Sequence, residues 1–72
     1  MAIFERKIIG QIRIRREELQ YTQLYMATRL NISQNCYSKL ELGQNKLTLD
    51  RLFAICELLS ISAEELIVIA TT

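Results

Sequence analysis

Proline is absent from all 72 residues and glycine occurs only twice, at Gly10 and Gly43. A chain with so few breakers cannot supply the frequent tight turns of a β architecture. Half of its residues are apolar, so long amphipathic helices around one core are the structure open to it. The length admits one small core, with a stability of about 4–10 kcal/mol. The expectation is a single all-α domain over residues 1–72.

Several function classes drop out on residue types alone. Histidine is missing and the two cysteines, Cys36 and Cys56, lie far apart, so the usual four-ligand structural zinc sites cannot be assembled and no metal is expected. No nucleophile sits beside a base, and no glycine-rich phosphate loop is present, so neither an enzyme nor a cofactor or small-molecule substrate is expected. The opening Met1-Ala2-Ile3-Phe4-Glu5-Arg6-Lys7 lacks the apolar run of a signal peptide, and no stretch reaches the roughly 18 apolar residues of a membrane helix. A cytoplasmic protein is expected, its cysteines reduced and Cys56 packing as a small hydrophobe.

Net charge is +1, but it is polarised along the chain. Residues 1–50 hold eight of the nine basic and five of the eight acidic residues; residues 51–72 hold one basic against three acidic. A basic front suits a module that lays one face on a polyanion.

Start and stop signals divide the chain into five helices. The first runs from about Ile3 to Leu19, with Ile8, Ile9, Ile12 and Leu19 at helical intervals and Arg6, Lys7, Arg13, Arg15 and Arg16 between them. Thr22 caps a second helix that buries Met26, Ala27 and Leu30 and ends at Arg29 or Leu30. Asn31 follows, the non-glycine residue that most readily turns left-handed, and Ser33 caps the third helix, Gln34 to about Leu42. Only Asn31, Ile32 and Ser33 separate the two, the spacing of a helix-turn-helix. Ile32 is expected to plug the turn, and Tyr37 and Leu40 to face the core. Gly43 stops the third helix. Thr48 caps a fourth with Leu52, Ile55, Cys56 and Leu59 inward, and Ser62 with Glu65 forms a capping box for a brief fifth. An apolar tail, residues 67–72, closes the chain.

The run Tyr21-Thr22-Gln23-Leu24-Tyr25-Met26-Ala27-Thr28-Arg29-Leu30-Asn31-Ile32-Ser33-Gln34-Asn35-Cys36-Tyr37-Ser38-Lys39-Leu40-Glu41-Leu42-Gly43 resembles the Cro/CI-type (XRE) helix-turn-helix family of phage repressors and bacterial regulators. The Thr-Gln opening, the apolar-Ala pair, Ile-Ser after the turn and the Glu-x-Gly ending are all in register. Leu52, Ile55, Leu59, Ile61-Ser62 and Leu66 continue the likeness, which covers about residues 6–66. The sequence departs from the pattern at Leu24 and Tyr25, where acidic or polar surface residues are usual, at Asn31 for a common Gly, and at Leu47 for a common Pro. Leu24 and Tyr25 leave two roles open, cover for the N-terminal segment or an extra contact surface.

The resemblance implies a compact five-helix, lambda-repressor-like DNA-binding domain whose third helix enters the major groove of double-stranded DNA. Gln34, Asn35, Ser38 and Lys39 are then the candidate base contacts, since carboxamides pair with adenine and a lysine donates to guanine. Gln23, at the start of the second helix, matches the family's phosphate contact; Lys46, Arg13 and Arg16 are further phosphate candidates. Arg16 and Glu41 also occupy the positions of a family ion pair. Cys36 is read as a plain small side chain of the third helix.

A module this small buries too little surface for strong specificity by itself. The reading is therefore a bacterial or phage-encoded transcriptional regulator, repressor-like, binding a palindrome as a homodimer through Leu66, Ile67, Val68 and Ile69. Phage repressors, restriction-modification controllers and antitoxins include small stand-alone members of this kind. With no effector domain, regulation falls to concentration or to a protein partner. The alternative is a protein-interaction module that keeps the fold without binding DNA, a reading that the low net charge favours.

Overall fold

In a computed structural model, which describes residues 3–72, the chain forms five helices: α1 (Ile3–Glu18), α2 (Gln23–Leu30), α3 (Gln34–Glu41), α4 (Leu49–Leu58) and α5 (Ala63–Thr71). No strand occurs among the described residues. This is the all-helical, lambda-repressor-like architecture that the resemblance implies.

Side-chain oxygens start four of the helices. Thr22, Ser33, Thr48 and Ser62 sit in extended backbone and accept hydrogen bonds from the amides of Tyr25, Cys36, Arg51 and Glu65, satisfying one orphan donor each. Each of these residues is the expected cap. At Ser62 the box closes differently from the expected form: Glu65 Oε1 takes its bond from the Ser62 hydroxyl, at 3.2 Å.

The exits of α1 to α4 share one device. Gln20, Asn31, Gly43 and Ser60 have φ of 61°, 59°, 76° and 54°. The amide of each, and that of the next residue, return to carbonyls two and three positions inside the helix end, as in Gln20 to Glu17 and Tyr21 to Arg16 at 3.0 Å each. This is the Schellman arrangement, in which the residue after the left-handed one packs on the core. Tyr21, Ile32 and Ile61 do so, each packed against the core cluster. At α3 the corresponding residue is Gln44, which is exposed.

Replacing Asn31 tests the device at the turn between α2 and α3. Asn31→Ala puts an unsuited residue at φ 59° and is expected to cost about 1 kcal/mol, a fall of about 4–8 °C in a domain of this size. Asn31→Gly is expected to melt within a few degrees of wild type.

The core gathers Ile8, Ile12, Met26, Ala27, Tyr37, Leu40, Leu52, Ile55, Cys56, Leu59, Leu66 and Ala70. Helix α1 packs on α5 and α3, α2 packs on α3 and α4, and α4 packs on α5. Burial pushes the Cys56 thiol above its ordinary pKa, in keeping with a packing role. Arg15 Nε donates to the Leu59 carbonyl at 3.0 Å, so a cation from α1 satisfies the end of α4.

Residues 67–72 correct the expectation of a tail. Helix α5 continues through Thr71 despite its β-branched residues, because Leu66 and Ala70 bury one side of it and tertiary packing overrides a weak local propensity. Leu66 therefore belongs to the protomer's own core, at 1% exposure, and cannot lie on an outer contact surface. Ile67, Val68 and Ile69 remain exposed.

Candidate nucleic-acid interface

Helix α3 divides cleanly by chemistry. Tyr37 and Leu40 are buried; Gln34, Asn35 and Lys39 are exposed and Ser38 is half-buried. Asn35 and Lys39 stand one turn apart on one row, Gln34 and Ser38 on the next. The four candidate base contacts thus share one outward, hydrogen-bonding surface. The Ser33 cap fixes the first turn through the Cys36 amide, at 3.0 Å.

Three helices are joined at Glu41, the last residue of α3. Arg16 of α1 donates from Nε to Glu41 Oε2 at 2.7 Å and from Nη2 to Oε1 at 3.1 Å. Gln23, the first residue of α2, donates from Nε2 to Glu41 Oε1 at 3.1 Å. The third guanidinium nitrogen, Nη1, donates to the Tyr21 carbonyl at 2.8 Å, tying in the turn between α1 and α2. This planar, two-pronged pairing is the geometry at which arginine excels.

The pair is almost dry, its side chains 10% and 3% exposed for Arg16 and Glu41. Burial opposes the charge on Glu41, but the hydrogen bonds and charge of Arg16, with the nearby Tyr37 hydroxyl and the Gln23 amide, outweigh it, so the carboxyl titrates below its ordinary value. The same hydrogen bonding holds the Arg16 proton more firmly than usual against the opposing effect of burial. Burial, reinforced by the neighbouring Glu41 carboxylate, pushes the Tyr37 phenol well above its normal range.

The Tyr37 hydroxyl is close enough to feel that carboxylate, yet it is buried and lies outside hydrogen-bonding geometry to any partner. An unsatisfied buried hydroxyl costs about 1–3 kcal/mol. Tyr37→Phe relieves that cost but also removes a hydroxyl that helps keep Glu41 ionised, so it is expected to melt within about 1 kcal/mol of wild type. A loss of about 2 kcal/mol or more would mean that the hydroxyl is satisfied.

A helix-turn-helix family model matches residues 12–66 of the chain. The chain belongs to the Cro/CI-type helix-turn-helix family. No curated protein and no solved structure matches it. The match starts inside the 6–66 span of the sequence resemblance and ends with it. As a member of this family the chain is a helix-turn-helix regulator that binds double-stranded DNA, a domain type not typically enzymatic. No helix among the described residues is long and apolar enough to cross a membrane.

The structure distributes the candidate phosphate contacts unevenly. Arg16 is 8% exposed with all three guanidinium nitrogens engaged inside the protein, so it serves the ion pair and is withdrawn from the phosphate set. Gln23 keeps one amide proton beyond its bond to Glu41, at the open end of α2. Arg13 is exposed and only loosely paired, 3.9 Å from Glu17. Lys46 is exposed in the loop after α3. Leu24 and Tyr25 are on the surface at 56% and 36% exposure; the Tyr25 ring lies 4.5 Å from that of Tyr21, with Arg29 6.0 Å above it.

Asn45 was not singled out by sequence. Its Nδ2 donates to the Cys36 carbonyl at 3.2 Å and approaches Cys36 Sγ at 3.7 Å. Nothing local in the sequence signals this bond, because it forms only once the chain has reversed at Gly43.

Proposed function

We propose that this regulator reads a palindromic operator as a homodimer, one α3 in the major groove of each half-site, and acts in a repressor-like way by occupancy. The observation that carries the reading is the outward face of α3. It presents only hydrogen-bonding groups, Gln34, Asn35, Ser38 and Lys39, on a helix braced against α1 and α2 at Glu41. Gln23, Lys46 and Arg13 are the proposed phosphate contacts, which position the helix without reading sequence.

Pairing is supported by α5. Leu66 and Ala70 are covered within the protomer, while Ile67, Val68 and Ile69 are 38%, 53% and 46% exposed. The turn at residues 66–70 is apolar on every side, and such a turn is ordinarily buried on every side. The protomer extends 31 Å along its longest axis, so two copies in contact can set equivalent helices the roughly 34 Å apart that successive major grooves require. Ile67→Asp is expected to convert dimer to monomer in sedimentation at low concentration. A variant that sediments as wild type would remove this face from the interface.

Selection of binding sites from random duplex DNA tests the reading as a whole. A two-fold symmetric consensus, its half-sites about 10 base pairs apart, is the expected result. Recovery of no consensus at low salt would instead favour the protein-interaction module, which the net charge of +1 and the exposed apolar residues of α5 would then serve.

A further inference from the structure

The exit of α3 is built differently from the other three, and the difference lies beside the DNA-reading face. At α1, α2 and α4 the residue after the left-handed turn is apolar and plugs the core; after Gly43 it is the exposed Gln44. Polar bonds hold the loop between Gly43 and Leu47, the next residue to pack against the core. The Gln44 and Asn45 amides both return to the Lys39 carbonyl, at 2.8 and 3.4 Å. The Asn45 side chain then reaches the Cys36 carbonyl at 3.2 Å, three residues further toward the start of α3. The chain from Gly43 onward therefore doubles back along one flank of the recognition helix. Cys36 and Lys39 border the same flank of α3, and Lys46, the next residue, is exposed with no acidic partner among the described residues.

We propose that Asn45 is a positioning residue for DNA binding: by bonding the Cys36 carbonyl it clamps the Gly43–Leu47 loop to α3 and holds Lys46 at a fixed offset from the base-reading face of α3, so that Lys46 meets the phosphate strand beside the bases that Lys39 reads. The proposal rests on α3 being the recognition helix. The amide is suited to the task because it donates to a carbonyl while adding no charge beside the DNA backbone. Without it, only the two amide bonds to the Lys39 carbonyl and the packing of Leu47 hold the loop, and Lys46 is placed less firmly at each binding event.

The test is a double-mutant cycle on a duplex bound by wild type, with affinity measured across a salt series. Lys46→Ala in the wild-type background is expected to reduce the slope of log affinity against log salt by about 0.9, the share of one phosphate contact. Asn45→Ala alone is expected to produce most of that reduction although Lys46 is intact, and adding Lys46→Ala to it to change little. Cys36, no longer covered by the amide, is expected to react several times faster with a maleimide in Asn45→Ala. Thermal melting checks the fold, and Asn45→Ser, too short to span the same distance, replaces Asn45→Ala if that variant does not fold. Additive slopes, or an Asn45 variant with the wild-type slope, would overturn the clamp. Failure of wild type to bind any duplex would strike the reading of α3 itself.

Discussion

Glu41→Gln is expected to lose about 3 kcal/mol of stability, and with it about 12–24 °C of melting temperature, although the change removes one charge and almost no volume. The reason is what it leaves behind. Arg16 is 8% exposed and its charge is neutralised chiefly by Glu41 through two hydrogen bonds; a guanidinium stranded in that position keeps its desolvation cost without its main counter-charge. Gln23 loses part of its anchor as well. In a domain whose whole stability is about 4–10 kcal/mol, such a loss is a large fraction of the total. The pair variant Arg16→Met, Glu41→Leu, which removes both charges, is expected to recover a large part of the deficit, because replacing a buried ion pair by apolar residues is often near neutral.

The same pair sets an acid limit on the fold. Glu41 titrates below its ordinary value in the folded state, so its contribution is complete above the unfolded carboxylate range of about 4.3 and drains away as pH falls through the lower, folded value. Wild-type melting temperature is expected to be flat in this respect from pH 7 to about 5 and to drop below about 4, converging on that of Glu41→Gln. Parallel curves held apart down to pH 3 would assign the acid loss to other carboxyls.

The second large effect concerns DNA. Each well-made contact to a base edge discriminates by about 1–3 kcal/mol, so Gln34→Ala with Lys39→Ala is expected to weaken binding to the selected operator by about 30-fold at least, and by up to about 10⁴-fold. Both residues are exposed, and melting should change by no more than about 0.5 kcal/mol. Affinity for random duplex should fall only by the share of one lysine near the backbone. The contrast between the two duplexes is the informative quantity: equal losses on both would describe an electrostatic contact, and no loss on the operator would mean that this face does not read bases.

Much of the fold was legible because it rests on short-range chemistry. Thr22, Ser33, Thr48 and Ser62 announce helix starts through an oxygen that can reach an amide three residues on, and Asn31 and Gly43 announce exits through their tolerance of a left-handed backbone. Gln20 and Ser60 adopt the same backbone without belonging to a residue type that announces it. There the following residue decides, since Tyr21 and Ile61 can reach the core only if the chain reverses at that point. The continuation of α5 through Thr71 was hidden for a similar reason. β-Branched residues argue against helix locally, and only the burial of Leu66 and Ala70 against the rest of the protomer turns the balance.

At the candidate interface, the outward residues of α3 followed from periodicity, and the partnership of Arg16 with Glu41 from register within the family. Neither reveals that Arg16 is fully engaged inside the protein, because its bond to the Tyr21 carbonyl depends on how the chain turns after α1. The reach of Arg15 to Leu59 and of Asn45 to Cys36 are likewise products of packing between segments distant in sequence or folded back on themselves.

The central claim, that α3 reads the operator from the major groove, is tested most directly by methylation interference on the selected operator. Guanine N7 lies in the major groove and adenine N3 in the minor groove. Binding is expected to be blocked by N7 methylation at guanines related by the two-fold axis, one set in each half-site, with Lys39→Ala relieving the discrimination at the guanine it contacts. Interference confined to adenine N3, with N7-methylated duplex bound as tightly as unmodified duplex, would contradict it.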